Sequence, residues 1–189
     1  MAFDNNSANC VLPLMVIWLL LIHSSSYAST LVTTHIHISY KIVDAICQVT
    51  PNQEFCKTTL KNFPRTKQAD MHELGVITII LATEQARLNK YVVDQLLHGG
   101  DQGADDVAKN DLSNCLSDYT VTLGKLQGAY RLSDNKGMIK LVNDAMKMTK
   151  KCEYRFQKPP TRPFPLGDNQ QKMVLLNDIA LATLDLLDG

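Results

Sequence analysis

The chain has 189 residues, 19 of them basic and 19 acidic, with 45% apolar and 6% aromatic residues. That length supports one domain with a real core, and the charge balance excludes a strongly basic nucleic-acid binder and an acidic disordered tail. Nine Gly and seven Pro exclude collagen-like or low-complexity sequence,. Few aromatics with abundant Leu, Ala, Met and Lys favour an all-helical domain.

The run from Val11 to Ile22 (VLPLMVIWLLLI) is uncharged and spans 12 residues. A membrane helix needs about 20. The polar stretch HSSSYAS follows, and Ser26-Tyr27-Ala28 fits the small-x-small rule, so residues 1–28 read as a signal peptide cut after Ala28,. A buried core helix is the other reading; Pro13 and the serine cluster suit the signal better. The n-region departs from pattern, with Asp4 and no Lys or Arg. Removal takes away Cys10 and the chain's one N-glycosylation sequon, Asn5-Asn6-Ser7, and leaves no segment expected in a membrane,. It also places the domain in an oxidising compartment, where the four remaining cysteines read as a disulfide framework.

Residues 29–38 form an extended lead-in to a domain over 39–189. From Ser39 the pattern turns helical, with Ile42, Val43 and Ile46 on one face,. Thr50-Pro51 predicts a restart, with Thr50 as N-cap and Pro51 in the first helical position. Phe55, Thr59 and Leu60 continue a second short helix, so residues 39–62 form a helical hairpin. A long helix is expected from Asp70 to His98, capped by Asp70 with Glu73 three residues on, and stopped by Gly99-Gly100. Its inward positions read as Leu74, Ile77, Leu81, Leu88, Tyr91 and Gln95. A second runs from near Asp105 to Leu132, with Ala108, Leu112, Cys115, Tyr119, Leu123, Leu126 and Tyr130 inward. After a Ser133-Asp134-Asn135 turn, a third spans Lys136 to about Gln157, with Met138, Leu141, Ala145, Met148, Cys152 and Phe156 inward. The stretch KPPTRPFPLGD is a linker, and a last helix covers Asn169 to Leu187 through Met173, Leu176, Ala180, Leu184 and Leu187,. The expected fold is an all-α, up-down-up-down four-helix bundle over 70–188, preceded by the hairpin.

The cysteines test that layout. In an antiparallel helix pair, residues equidistant from the turn face each other. The midpoint of Cys47 and Cys56 falls in the Thr50-Pro51-Asn52 turn, and that of Cys115 and Cys152 in the Ser133-Asp134 turn. A Cys47–Cys115 pairing would centre deep in a helix. Symmetry therefore selects Cys47–Cys56 and Cys115–Cys152, worth about 2.7 and about 3.9 kcal/mol on the chain-entropy model.

Little in the chain suits catalysis. His35-x-His37 lies in the lead-in beside no third ligand. His72-Glu73 opens like a zinc-protease helix, but Val76 stands where a histidine is required,. His98 suits a C-terminal helix cap. The glycines at 99, 100 and 103 have the wrong spacing for a phosphate loop. No metal, cofactor or catalytic residue is expected, and the chain reads as a non-enzyme. Methionines 138, 146, 148 and 173 read as core filler. What remains is surface: Lys147, Lys151, Arg155 and Lys158, with Lys136 and Lys140, place a basic stripe along the third long helix. A solvated face is one reading. The other is a contact surface for an acidic polymer or an acidic enzyme cleft.

Ile46-Cys47-x-x-Thr50-Pro51 with Phe55-Cys56-x-x-x-Leu60 resembles the N-terminal signature of the plant invertase and pectin methylesterase inhibitor family. Ala69-Asp70-x-x-x-Leu74-Gly75, Cys115-Leu116-x-x-Tyr119 and Cys152-Glu153 with Phe156 are similar to it in the same order. The resemblance spans about residues 41–188. It implies a secreted plant protein, apoplastic or vacuolar, that blocks a carbohydrate-active enzyme, and it implies the same hairpin, bundle and disulfides. Members that block acid invertase carry Asp-Pro-Lys-Phe before the third bundle helix; here the turn reads Asp134-Asn135-Lys136-Gly137. Members that block pectin methylesterase often have Gly at the fourth place, as here, and a small polar residue midway along that helix, where this chain has Lys147. The resemblance points first to a monomeric pectin methylesterase inhibitor in a one-to-one complex, with Asp134, Lys136, Lys140, Lys147 and Lys151 as target-binding residues. Acid invertase is the alternative partner. A bundle that only holds a small ligand or pectin fragments is a third reading, disfavoured by inward stripes of Leu, Ile, Met and Tyr that fill a core.

Overall fold

The computed structural model describes residues 40–99 and 106–188. The signal peptide, the lead-in with His35 and His37, and Gly100 and Gly103 lie outside the described residues. All regular structure within them is helical: α1 (40–48), α2 (Gln53–Asn62), a 3₁₀ turn (Pro64–Lys67), α3 (Met71–Gly99), α4 (Asp106–Ala129), α5 (Asn135–Gln157) and α6 (Gly167–Asp188). The four long helices close a ring in which α3 packs on α4, α4 on α5, α5 on α6 and α6 on α3. This is the up-down-up-down bundle. The hairpin α1–α2 rests against α6 through α2.

Local chemistry sets the element ends. Asp70 caps α3 as expected, its Oδ1 accepting from Glu73 N at 2.8 Å. His98 Nδ1 donates to Asp94 O at 3.0 Å in the last turn of α3. Between α1 and α2 the caps differ from expectation. Thr50 is not the N-cap: its hydroxyl donates back to Cys47 O at 2.9 Å and closes α1. Asn52 is the cap, with Oδ1 accepting from Phe55 N at 3.0 Å. The helix starts at Gln53, two residues later than expected, and Asn52 just before it is the side chain that accepts,.

The inward faces are partly as read. Leu74, Ile77, Cys115, Tyr119, Leu126, Met138, Ala145, Cys152, Phe156, Met173, Leu176, Ala180 and Leu184 are buried. In the second half of α3 the apolar positions mislead. Leu88 and Tyr91 are exposed and so is Gln95, while Gln85, Asn89 and Val93 face the core. The linker before α6 is strapped down. Arg162 N donates to Phe156 O at 3.0 Å, the Phe164 ring meets Phe156 edge-on at 5.4 Å, and the Arg162 guanidinium pairs with Asp111.

Candidate target-binding surface

The α4–α5 seam is joined at Cys115–Cys152, with Cα atoms 4.8 Å apart, and the hairpin at Cys47–Cys56, 5.5 Å apart. Close Cα approach across a covalent bridge fixes the two helices of each pair in register.

One turn beyond Cys115 lies Asp118, a residue the sequence pattern does not single out. Its side chain is 7% exposed, and it binds two members of the basic stripe: Arg155 Nε at 3.1 Å and Lys151 Nζ at 3.5 Å. A second carboxylate, Asp144, takes Lys147 and Lys125, each at 3.4 Å. The Lys147 hydrogen bond, with help from Lys125, holds the Asp144 carboxyl below the usual carboxylate range. Lys158 leaves the helix and places its ammonium 5.1 Å from the Tyr154 ring centroid. Among the described residues, Lys136 and Lys140 make no ion pair. The stripe is thus divided. Arg155 stiffens the α4–α5 seam, Lys147 and Lys151 keep exposed ammonium groups while leaning on carboxylates, and Lys136 and Lys140 project from the first turns of α5.

The turn before α5 is ordered by Asp134, whose Oδ1 accepts from Gly137 N at 2.7 Å. The carboxylate folds so closely over Gly137 that an added Cβ would lie 2.6 Å from Asp134 Oδ2 and 2.8 Å from Leu132 Cδ1. Glycine at this place lets the carboxylate lie where a side chain would otherwise start. Asp134, Lys136, Lys140, Lys147 and Lys151 therefore all lie on α5 or its capping turn, and four of them are lysines within about 60° of one helix face.

Behind this surface runs a polar network that crosses the bundle. Gln85 Nε2 donates to Asn89 Oδ1 at 2.8 Å, Asn89 Nδ2 to the Tyr119 hydroxyl at 3.1 Å, and that hydroxyl to Gln170 Oε1 at 2.5 Å. Gln170 Nε2 then reaches Thr149 O and Glu153 Oε2 at 3.2 and 3.3 Å. Burial pushes the Tyr119 phenol well above its ordinary range, against the opposing effect of the Asn89 bond. The phenol stays protonated, as it must to donate to Gln170. These links tie α3, α4, α5 and α6 at one level, which specifies register in a bundle whose apolar stripes would tolerate slippage. An inward period containing Asn89, Tyr119 and Gln170 was the available signal for it.

The family model described as plant invertase/pectin methylesterase inhibitor matches residues 41–182. The chain belongs to that family. Its members are inhibitors of enzymes and not enzymes themselves. A pectinesterase inhibitor from Actinidia deliciosa is 25% identical over 192 residues, covering 100% of this chain and 99% of its own. Among solved structures, mutant form A of a pectin methylesterase inhibitor from Arabidopsis matches with a TM-score of 0.63 and 22% identity. It covers 76% of this chain and 95% of its own. A pectin methylesterase inhibitor from Arabidopsis thaliana matches at 0.56 and 21%, over 77% and 95%. At these identities the solved structures establish the shared fold. Among the described residues no helix is long and apolar enough to cross a membrane, and no group of three or more His, Cys, Asp or Glu is placed to hold a metal ion.

Proposed function

We propose that this protein is a secreted inhibitor of pectin methylesterase that acts by forming a one-to-one complex as a monomer. The inhibitor lays the α4–α5 face of its bundle over the enzyme's active-site cleft. The observation that carries the target choice is Gly137. The turn therefore lacks the aromatic anchor that would make it suit invertase, and such anchors commonly dominate binding energy,. Lys136, Lys140, Lys147 and Lys151 present positive charge to an acidic cleft, where complementarity speeds association and fixes orientation. The disulfide and the Asp118–Arg155 pair keep that face rigid, so little ordering entropy is spent on binding.

Titration of the purified protein against a panel of plant pectin methylesterases, at acidic pH with methanol release as the readout, tests the proposal. Stoichiometric loss of demethylation is expected. Undiminished release at molar excess for every enzyme sinks it. Acid invertase is the second reading, kept by Asp134 and Lys136 in the turn. Sucrose hydrolysis with and without the protein decides between the two.

A further inference from the structure

We propose that the C-terminal half of α5 is a binding site for a linear uronate polymer, with Tyr154 as the stacking platform and Lys150, Lys151 and Lys158 as the carboxylate partners. The chain is neutral overall, but its charge is unevenly placed. α5 carries Lys136, Lys140, Lys147, Lys150, Lys151 and Arg155 against Asp144 and Glu153, whereas α6 carries Asp168, Asp178, Asp185 and Asp188 against Lys172. The acids that could neutralise α5 are largely engaged: Asp118 is buried under Arg155 and Lys151, and Asp144 holds Lys125 and Lys147.

In the middle of the positive charge stands an aromatic ring on the solvent side. Tyr154 is 57% exposed. With Lys150, Lys151, Glu153 and Gln157 it lines a shallow depression, and Lys158 lies over its ring at 5.1 Å. Lys150, Lys151 and Tyr154 fall within about 100° of one helix face. The combination matches a polymer in which each unit offers a ring with an apolar C–H face and one carboxylate. The sugar face packs on the phenol, and the carboxylates meet the lysines. Glu153 and Gln157 add acceptors and donors for sugar hydroxyls.

The choice of a uronate over other polyanions rests on the proposed inhibition of pectin methylesterase. Hydrolysis of a pectin methyl ester breaks the ester bond, releases methanol and leaves a carboxylate on the polymer. An inhibitor of that reaction works beside a chain that gains the charge this site fits. The site uses none of Asp134, Lys136, Lys140 and Lys147 and shares Lys151 with the proposed enzyme-facing surface.

The test is direct binding of polygalacturonate to the disulfide-intact protein, by affinity electrophoresis at low salt with no esterase present. We expect retardation that fades with added salt. Affinity should fall about tenfold in Tyr154→Ala, the size of one lost ring stack, and by a similar factor in Lys150→Ala. Fully methyl-esterified pectin should not bind. Dextran sulfate and single-stranded DNA should bind at least about tenfold more weakly at equal salt, since neither offers the ring-and-carboxylate repeat. Absence of retardation, variants that bind like the parent, or equal binding of esterified pectin, dextran sulfate or DNA would each overturn the assignment. Esterase inhibition measured on the same preparations separates the two readings. Polymer binding without inhibition removes the enzyme target alone, and inhibition without polymer binding removes this site alone.

Discussion

Arg155 Nε lies 3.1 Å from Asp118 Oδ2, across the α4–α5 seam and one turn from the cysteine each helix contributes to the disulfide. Asp118 is 7% exposed and Arg155 23%, so the pair is far drier than a surface ion pair. Asp118→Asn keeps the volume and removes the charge. It should cost about 2 kcal/mol in urea unfolding, the range for a buried hydrogen bond to a charged group. A loss below the error of the midpoint would show that the pair is worth no more than a surface bridge.

Tyr119→Phe removes one oxygen from the centre of the polar network. Asn89 keeps Asn169 O at 3.3 Å, but Gln170 Oε1 loses the donor it has at 2.5 Å. Leaving that buried acceptor unmet should lower stability by about 1–3 kcal/mol. Inhibition should be unchanged, because the phenol is inside the bundle. Thermal melts and esterase titrations on one preparation check both halves.

Asp144 and Asp178 should bend the pH dependence of stability in opposite directions. Lys147 and Lys125 lower the Asp144 pKa below its unfolded value. Its contribution is present above the unfolded carboxylate range and is lost as pH falls through the folded pKa. Asp144→Asn should therefore destabilise at neutral pH and have no effect in strong acid. Burial raises the Asp178 pKa, with Lys150 opposing. Its contribution is fullest below the unfolded pKa and fades as pH rises through the folded one. Asp178→Asn should stabilise at neutral pH and lose that advantage in acid. Denaturant midpoints of the two variants across an acid-to-neutral series would reveal any reversal of sign.

The two disulfides should not be equal. The loops they close separate the cysteines by 37 residues at Cys115–Cys152 and 9 at Cys47–Cys56. Double Ser replacement should cost about 3.9 kcal/mol at the first and about 2.7 kcal/mol at the second on the entropic account. Because the first bridge also fastens the proposed binding face, its loss should weaken inhibition more than loss of the hairpin bridge. Chemical denaturation and inhibition assays on both double variants provide the comparison.

Lys136→Glu combined with Lys140→Glu reverses charge where neither lysine forms an ion pair among the described residues. Stability should move by less than about 0.5 kcal/mol. Association with pectin methylesterase should slow by about tenfold or more at low salt and recover in part as salt is raised. Unchanged association kinetics would place the enzyme contact elsewhere on the bundle.

The helix count, the hairpin and both cysteine pairings were legible in the linear chain because they rest on local rules. Apolar residues recur at helical spacing, Asp70 precedes the helix it caps, and cysteines lie symmetrically about turns. The Thr50 cap was misread because two neighbouring side chains can both accept, and only the path around Pro51 selects Asn52. Leu88 and Tyr91 were misread for a related reason. An apolar residue on a helix does not state which face the neighbouring helices cover, and here they cover Gln85, Asn89 and Val93. Asp118 had no linear signature at all. Its role comes from Arg155 and Lys151, more than thirty residues away in sequence.

Periodicity, turn chemistry and charge along the chain thus determined the elements and their order, since each is set by neighbours within a few residues. Packing alone decided which lysines of α5 are engaged and which project, how closely Asp134 folds over Gly137, and that one polar layer passes through all four long helices. Apart from the Asp134 cap, which is local, those are relationships between side chains on different helices, and their free energies exist only once the helices have met.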